Sequence, residues 1–388
     1  GLDPDAVLVH ATQTHSAPPI GAFLLDEGLP LPRELDWLRL RDAGYSAWAT
    51  EQAVQAIGQA VGNLRPARIA AGSAVRDNLA FNRRAVMRDG SISMPWPYPY
   101  TREPLGPTRI RYIEGPTDPE VGVVCVQDEA MRVLALLLHF TCHPVNLYWQ
   151  RVVLKCPPAI SADWPGAWGE AMRAACGPGC VPLVLNGCCG NINPWPAFEP
   201  DYVPDHRRMG TLLAESAQRV ISMLTFTEEA TLDWRVRRIR IPRREIPPAE
   251  LVQAQALLAE HPTPIWIEDE PRRADGGWFR AAMLVSLDLE RQRDPEMPYE
   301  VQALRLGDVA LVGLPGEPFV EGQLRLKIES PIYPTYVAHA CSHFAGYIPT
   351  REALARGGHE GNLSSWAKLA PEALDRIVNT AVGLLKEF

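Results

Sequence analysis

Long apolar runs, excess positive charge and paired cysteines are what this chain has least of. Its longest apolar stretch, Val133 to Phe140, is a strand's length, well short of the roughly 20 residues that cross a bilayer as a helix. Lys and Arg total 38 against 46 Asp and Glu, for a formal charge of -8, so no basic field is available for nucleic acid. Eight cysteines in 388 residues are too sparse for a disulfide framework, and the Cys-x-x-Cys knuckles of a structural zinc site are missing. Cys142, Cys188, Cys189 and Cys341 read as small buried thiols, while Cys176 and Cys180 are equally open to a local pair or to being free. There is no internal repeat, no low-complexity segment and no compact ligand motif of the His-Glu-x-x-His kind. The chain starts at Gly1 without Met or a signal-like segment. The expectation is a processed or truncated product, cytoplasmic or, where an N-terminal segment has been removed, periplasmic or secreted.

What is present is an apolar fraction of 46%, ample for a packed core, organised as alternating apolar runs and amphipathic stretches. The reading is one α/β domain over 1–388, a mixed or mostly parallel sheet flanked by helices, with residues 228–296 as a peripheral insertion. Strands are expected at Val7–Thr12, Arg68–Val75, Val121–Gln127, Met131–Phe140, Val181–Leu185, Thr231–Ile241, Val301–Leu306, Val309–Leu314 and Tyr336–Ala340. Helices are expected at Ala47–Leu64, with Ala53, Ile57, Ala60, Val61 and Leu64 on one face, and at Ser161–Ala175, Arg207–Met223, Pro247–Glu260, Phe279–Arg291, Phe319–Ile328 and Pro371–Phe388. The Pro-rich Met94–Pro107 segment reads as an ordered surface loop. Its Trp96, Tyr98 and Tyr100, with Trp149, Trp164, Trp195 and Phe198, hint at an apolar or sugar-like ligand or simply pack.

Four apolar runs end in polar, ligand-type residues: Val7 to Ser16, Val133 to Asn146, Val181 to Pro194, and Val309 to Glu317. Strand ends of this kind are where open α/β sheets bind ligands. His15, His143 and Glu317 each sit just past such a run. Two imidazoles, a carboxylate and an open position make the pattern of a catalytic zinc. One histidine beside a core strand is more often structural; the repetition at three strand ends is what points to a shared metal site.

The motifs Ala11-Thr12-Gln13-Thr14-His15-Ser16, Asn82-Arg83-Arg84, His143-Pro144-Val145, Ser161-Ala162-Asp163, Gly190-Asn191-Ile192-Asn193-Pro194, Pro315-Gly316-Glu317 and Gly346-Tyr347-Ile348-Pro349-Thr350, in this order, resemble the neutral/alkaline, non-lysosomal ceramidase family. Gly357-Gly358-His359-Glu360 stands where that family often has Gly-Gly-Tyr-Glu. The resemblance is to compact bacterial ceramidase-like hydrolases, with the usual N-terminal strand and helix missing. It implies a zinc-dependent amidase with the metal held by His15 or its neighbourhood, His143, Glu317 and Tyr347. Arg83 would face the substrate carbonyl or another anionic group. Two departures stand out: Gln13 replaces one of two histidines in the first motif, and Asn193 stands where long ceramidases carry a serine nucleophile, Asn191 likewise replacing an acidic residue.

Without the serine, the expected chemistry is attack by water that the metal activates. Asn191, Asn193 and the backbone near Gly190 would stabilise the oxyanion, and Asp163, His343 or His359 would move the proton. Gln13, Gly190, His343 and His359 are placed against the substrate. That substrate is a small molecule, lipid-like or sugar-like, other than long-chain ceramide; the only other expected partner is a further copy of the chain in a homo-oligomer. Two other functions stay open: a non-catalytic binding protein with a degenerate pocket, and a metal-assisted lyase acting on an acidic sugar.

Overall fold

A computed structural model describes residues 2–21, 24–40, 42–97, 109–199, 201–268 and 270–388. Tyr98 and Tyr100 of the expected surface loop lie outside the described residues.

Side-chain alternation across one strand decides how the layers stack. Along Glu120–Gln127, Val121, Val123 and Cys125 pack against Trp164, Trp168, Met172, Leu213 and Ala217 of the helices Asp163–Cys176 and His206–Ile221. Val124, between them, points the other way, into a cluster with Val309, Leu311, Tyr336 and Ala338 of a second sheet. The far face of that sheet, through Val301, Ala303, Ala310, Val312 and Val337, meets Leu326, Ile377, Val378 and Ala381 of the helices Val320–Glu329 and Ala373–Leu385. The order is helix, sheet, sheet, helix. Each aliphatic side chain buried in these layers is worth about 1.5–3 kcal/mol.

The two sheets have the same topology. The first runs Arg68–Val75, Glu120–Gln127, Val133–Phe140, Val181–Asn186, paired antiparallel, antiparallel, parallel. The second runs Leu232–Pro242, Glu296–Leu306, Val309–Gly313, Thr335–Ala338 with the same three pairings. The third strand reaches the parallel fourth through helices, two in the first sheet and one in the second, as a parallel connection requires, and further helix follows the fourth. The expected mixed α/β fold is what is observed. The chain folds as two topological repeats that its residues do not betray.

Leu232–Pro242, which opens the 228–296 segment, pairs with Glu296–Leu306 along its whole length, so this segment supplies an integral edge strand. The helices Pro248–Glu260 and Gly276–Arg293 pack on each other outside the sheet. One expected strand does not form. Val7–Thr12 forms no strand; only His10 bridges, to Cys341, because the left-handed backbone at Ala340, Ser342 and Gln13 ends the extended pairing on both sides. The helix at Ala43–Gly62 forms, but none of its residues is buried, so its apolar face covers nothing described. All eight cysteines are free thiols, six of them buried. No described helix is long and apolar enough to cross a membrane.

Candidate functional site

The third strands of the two sheets end side by side, and so do the fourth. After Phe140, the chain turns through Thr141 and Cys142 to His143, whose backbone N–H donates to the Ile192 carbonyl at 3.1 Å. After Gly313, it turns at Gly316, with φ of 73°, to Glu317. A Cβ on Gly316 would come within 2.6 Å of the Gly346 carbonyl oxygen, so only glycine lets these two loops meet. Glu317 pairs in parallel register with Tyr347, which follows the fourth strand of the second sheet. The loop after the fourth strand of the first sheet wedges between them. Gly190 donates its N–H to Pro318, and a Cβ there would lie 2.5 Å from the Glu317 carbonyl oxygen. Ile192–Asn193 pairs with Phe81–Asn82 and so carries Arg83 into the same place. His15 arrives separately, its N–H donating to the Pro144 carbonyl.

His143 Nδ1 lies 2.6 Å from the Cys189 carbonyl oxygen, and its Nε2 lies 3.2 Å from Glu317 Oε2. Because a carbonyl only accepts, Nδ1 carries the proton and Nε2 of the neutral ring presents a lone pair. Both side chains are buried. Burial, then the Arg83 charge, pulls the His143 imidazole far below its usual range. Burial pushes the Glu317 carboxyl up, against the opposing effects of the Gln13 amide and the Arg83 guanidinium.

Around this pair lie one buried cation and two exposed imidazoles. Arg83 Nε donates to Glu360 Oε1 at 2.7 Å, and Nη1 to Asn193 Oδ1 at 3.3 Å. Its guanidinium also sits over the Tyr347 ring, 5.4 Å from the centroid. Burial disfavours its charge, but Tyr347 and Glu360 more than offset that. Nη2 is buried without a well-formed hydrogen bond. The His15 ring stands edge-on to His143 with centroids 5.7 Å apart, and the His359 ring edge-on to Tyr347 at 5.5 Å. His15 and His359 are exposed, whereas His143, Glu317, Tyr347 and Arg83 beneath them are buried; the centre thus opens to solvent between the two imidazoles. Protein crowds His15 on its other sides. This desolvation first, and the neighbouring His143 imidazole next, pull its pKa down to about 3.

Of the residues named from the sequence, His15, Gln13, Arg83, His143, Gly190, Asn193, Glu317, Tyr347 and His359 meet here. Three have other work. Asp163 accepts from Asn146 Nδ2 at 2.7 Å, from the Leu147 N–H at 2.9 Å and from the Trp164 N–H at 2.7 Å, so it ties two helix starts together. Asn191 ties its loop to the next helix, donating from its amide to Glu321 and accepting from the Val320 N–H. His343 packs edge-on to Tyr299 at 6.1 Å. Trp149 and Trp164 are fully buried. Two residues were missed. Glu360 joins Arg83 to Arg84 through both its oxygens; a carboxylate downstream of an Arg-Arg pair was the available clue. Tyr148 lies edge-on to His15 at 5.6 Å, and nothing in its sequence context marks it.

Among the described residues, no group of three or more His, Cys, Asp or Glu side chains is close enough to hold a metal ion. The chemistry of the donors nonetheless suits zinc. A bare imidazole nitrogen faces a carboxylate oxygen, an arrangement that needs a proton or a cation between the two lone pairs. The Nδ1–H bond to a backbone carbonyl is the support that metal-binding histidines receive. Tyr347, whose backbone pairs in register with Glu317, is the other oxygen-type side chain of the set.

No family model matches the sequence, and no curated protein matches it. Solved structures do. A ceramidase structure described as complexed with C2 superposes with a TM-score of 0.64 at 18% identity, covering 98% of this chain. Neutral ceramidase from Pseudomonas aeruginosa superposes with a TM-score of 0.63 at 18% identity, over the same 98%. The chain spans 61% of the length of each. The fold is therefore that of the ceramidase structures, which the ordered motifs had indicated.

Proposed function

We propose that the chain is a hydrolase that cleaves an amide or ester bond in a small, lipid-like or sugar-like molecule. In this reading a zinc ion is held by His143, Glu317 and Tyr347, with a further contact from His15 or Gln13. The observation that carries it is the buried pairing of two lone-pair donors, His143 Nε2 and Glu317 Oε2, beside the buried Arg83 guanidinium.

When bound, zinc supplies acidification of a water and polarisation of a carbonyl. The chain's own residues do the rest. Arg83 Nη2–H holds the substrate oxygen on which charge develops. The NH2 of Asn193, whose oxygen already faces Arg83, adds a second donor; each such donor is worth about 3–4 kcal/mol in the transition state. Asn193 has no nucleophilic atom, so water attacks. The C–N or C–O bond breaks, the leaving group gains a proton, and the acid product keeps the water oxygen. His359, exposed beside Tyr347, takes up the proton at a ring nitrogen.

One observation favours a second reading, a binding protein that keeps the pocket without turnover. The Gln13 amide already hydrogen-bonds the Glu317 carboxyl, which partly satisfies the group that would hold the metal. Incubation with acyl amides and esters in 18O-labelled water separates the two. Hydrolysis predicts one labelled oxygen in the acid product, lost in His143→Ala; binding of the same compounds with no product would establish the binding protein.

A further inference from the structure

The rings beside His15 form a continuous wall. Tyr148 is edge-on to His15, Trp96 lies 6.1 Å from Tyr148, and Trp195 lies 5.4 Å from Trp96. The wall is braced. The indole N–H groups of Trp149 and Trp195 donate to the carbonyls of Pro97 and Pro95, pinning the backbone on both sides of Trp96. The Arg151 guanidinium sits over Tyr148, 5.3 Å from its centroid. Tyr148 and Trp96 are half-buried, so part of each is open beside the exposed His15. The opposite side is also aromatic: His359 lies 5.6 Å from Trp366 at an interplanar angle of 33°. Long flexible chains are accommodated by aliphatic linings, whereas aromatic rings at an open site stack on flat faces.

We propose that the substrate carries a six-membered ring with a flat apolar face, sugar or aryl, bound against Tyr148 and Trp96 beside the His143–Glu317 pair. This rests on the reading of that pair as an active site. It assigns Tyr148 and Trp96 to specificity, and it makes the ring, rather than an alkyl chain, the recognised part of the molecule.

The test is calorimetric titration of the whole chain with three N-acetyl amines: N-acetylglucosamine, acetanilide and N-acetylhexylamine. At least one ring compound is expected to bind about tenfold more tightly than the hexyl compound, and which one does so distinguishes sugar from aryl. Tyr148→Leu, which keeps bulk but removes the ring, and Trp96→Ala should each weaken ring binding about three- to tenfold and leave the hexyl compound unaffected. Equal or tighter hexyl binding, binding of none of the three, or ring binding unchanged in both variants would overturn the proposal. Product is measured in the same samples. Ring binding without turnover sinks the hydrolase and leaves the ring subsite standing; turnover that favours the hexyl compound does the reverse.

Discussion

Glu360→Gln removes one negative charge from between two buried positive ones. Glu360 Oε1 accepts from Arg83 Nε and Oε2 from Arg84 Nη1, each at 2.7 Å, and none of the three side chains is more than 5% exposed. Arg84 keeps Glu114 and the carbonyls of Ala353 and Gly357. Arg83 keeps little beyond Asn193 and Tyr347. Removing one partner of a desolvated ion pair costs about 3–5 kcal/mol. Proton linkage gives a similar figure: the carboxyl is held down to about 2 from an ordinary 4.5, burial opposing and the Arg83 and Arg84 charges prevailing, which corresponds to roughly 3 kcal/mol. Because the folded value lies below the unfolded one, this stabilisation is complete above about pH 4.5 and is lost as pH falls towards 2. Urea unfolding should therefore show the variant less stable by about 3–5 kcal/mol at pH 7 with an unchanged m-value, and the gap should narrow progressively below pH 4.5. A gap under about 1 kcal/mol, or one independent of pH, would refute the reasoning.

Asp163→Asn should lower stability by about 1–3 kcal/mol, since one buried acceptor is lost among donors from Asn146, Leu147 and Trp164, while kcat stays near wild type; unchanged stability with collapsed turnover would return Asp163 to the chemistry. In Gly190→Ala the new Cβ meets the Glu317 and Pro318 carbonyl oxygens at 2.5 and 3.0 Å, and backbone cannot swing aside as a side chain can. Thermal melts should show a loss of about 1–3 kcal/mol, with activity falling further than stability because Glu317 is displaced; a variant with wild-type activity would mean the two loops move independently.

Most of the fold was legible because its core strands are apolar and its helices carry apolar residues at helical spacing. The hairpins Glu120–Gln127 with Val133–Phe140 and Glu296–Leu306 with Val309–Gly313 came from short polar turns between apolar runs, a local signal. The failures are non-local. Val7–Thr12 has strand composition, but its available partner, the turn after Ala338, is kinked by positive φ angles at Ala340 and Ser342. The face of Ala43–Gly62 is amphipathic by spacing, yet spacing does not say whether anything lies opposite. At the site, His143, Glu317 and Tyr347 were readable as residues just past strands. Asp163 and Asn191 are tied to the helix starts at Asn146 and Val320, a direction that a motif, which carries only residue type, does not give. Glu360 acts through Arg83, more than 270 positions away, and its role becomes visible only when the two sheets bring their loops together.

Metal analysis of the native protein beside His143→Ala bears most directly on the central claim. About one zinc per chain, absent from a folded His143→Ala, is the predicted result. No tightly bound metal in either protein after purification with zinc supplied would contradict it, and would leave Gln13, Arg83 and Glu317 as the lining of a binding pocket.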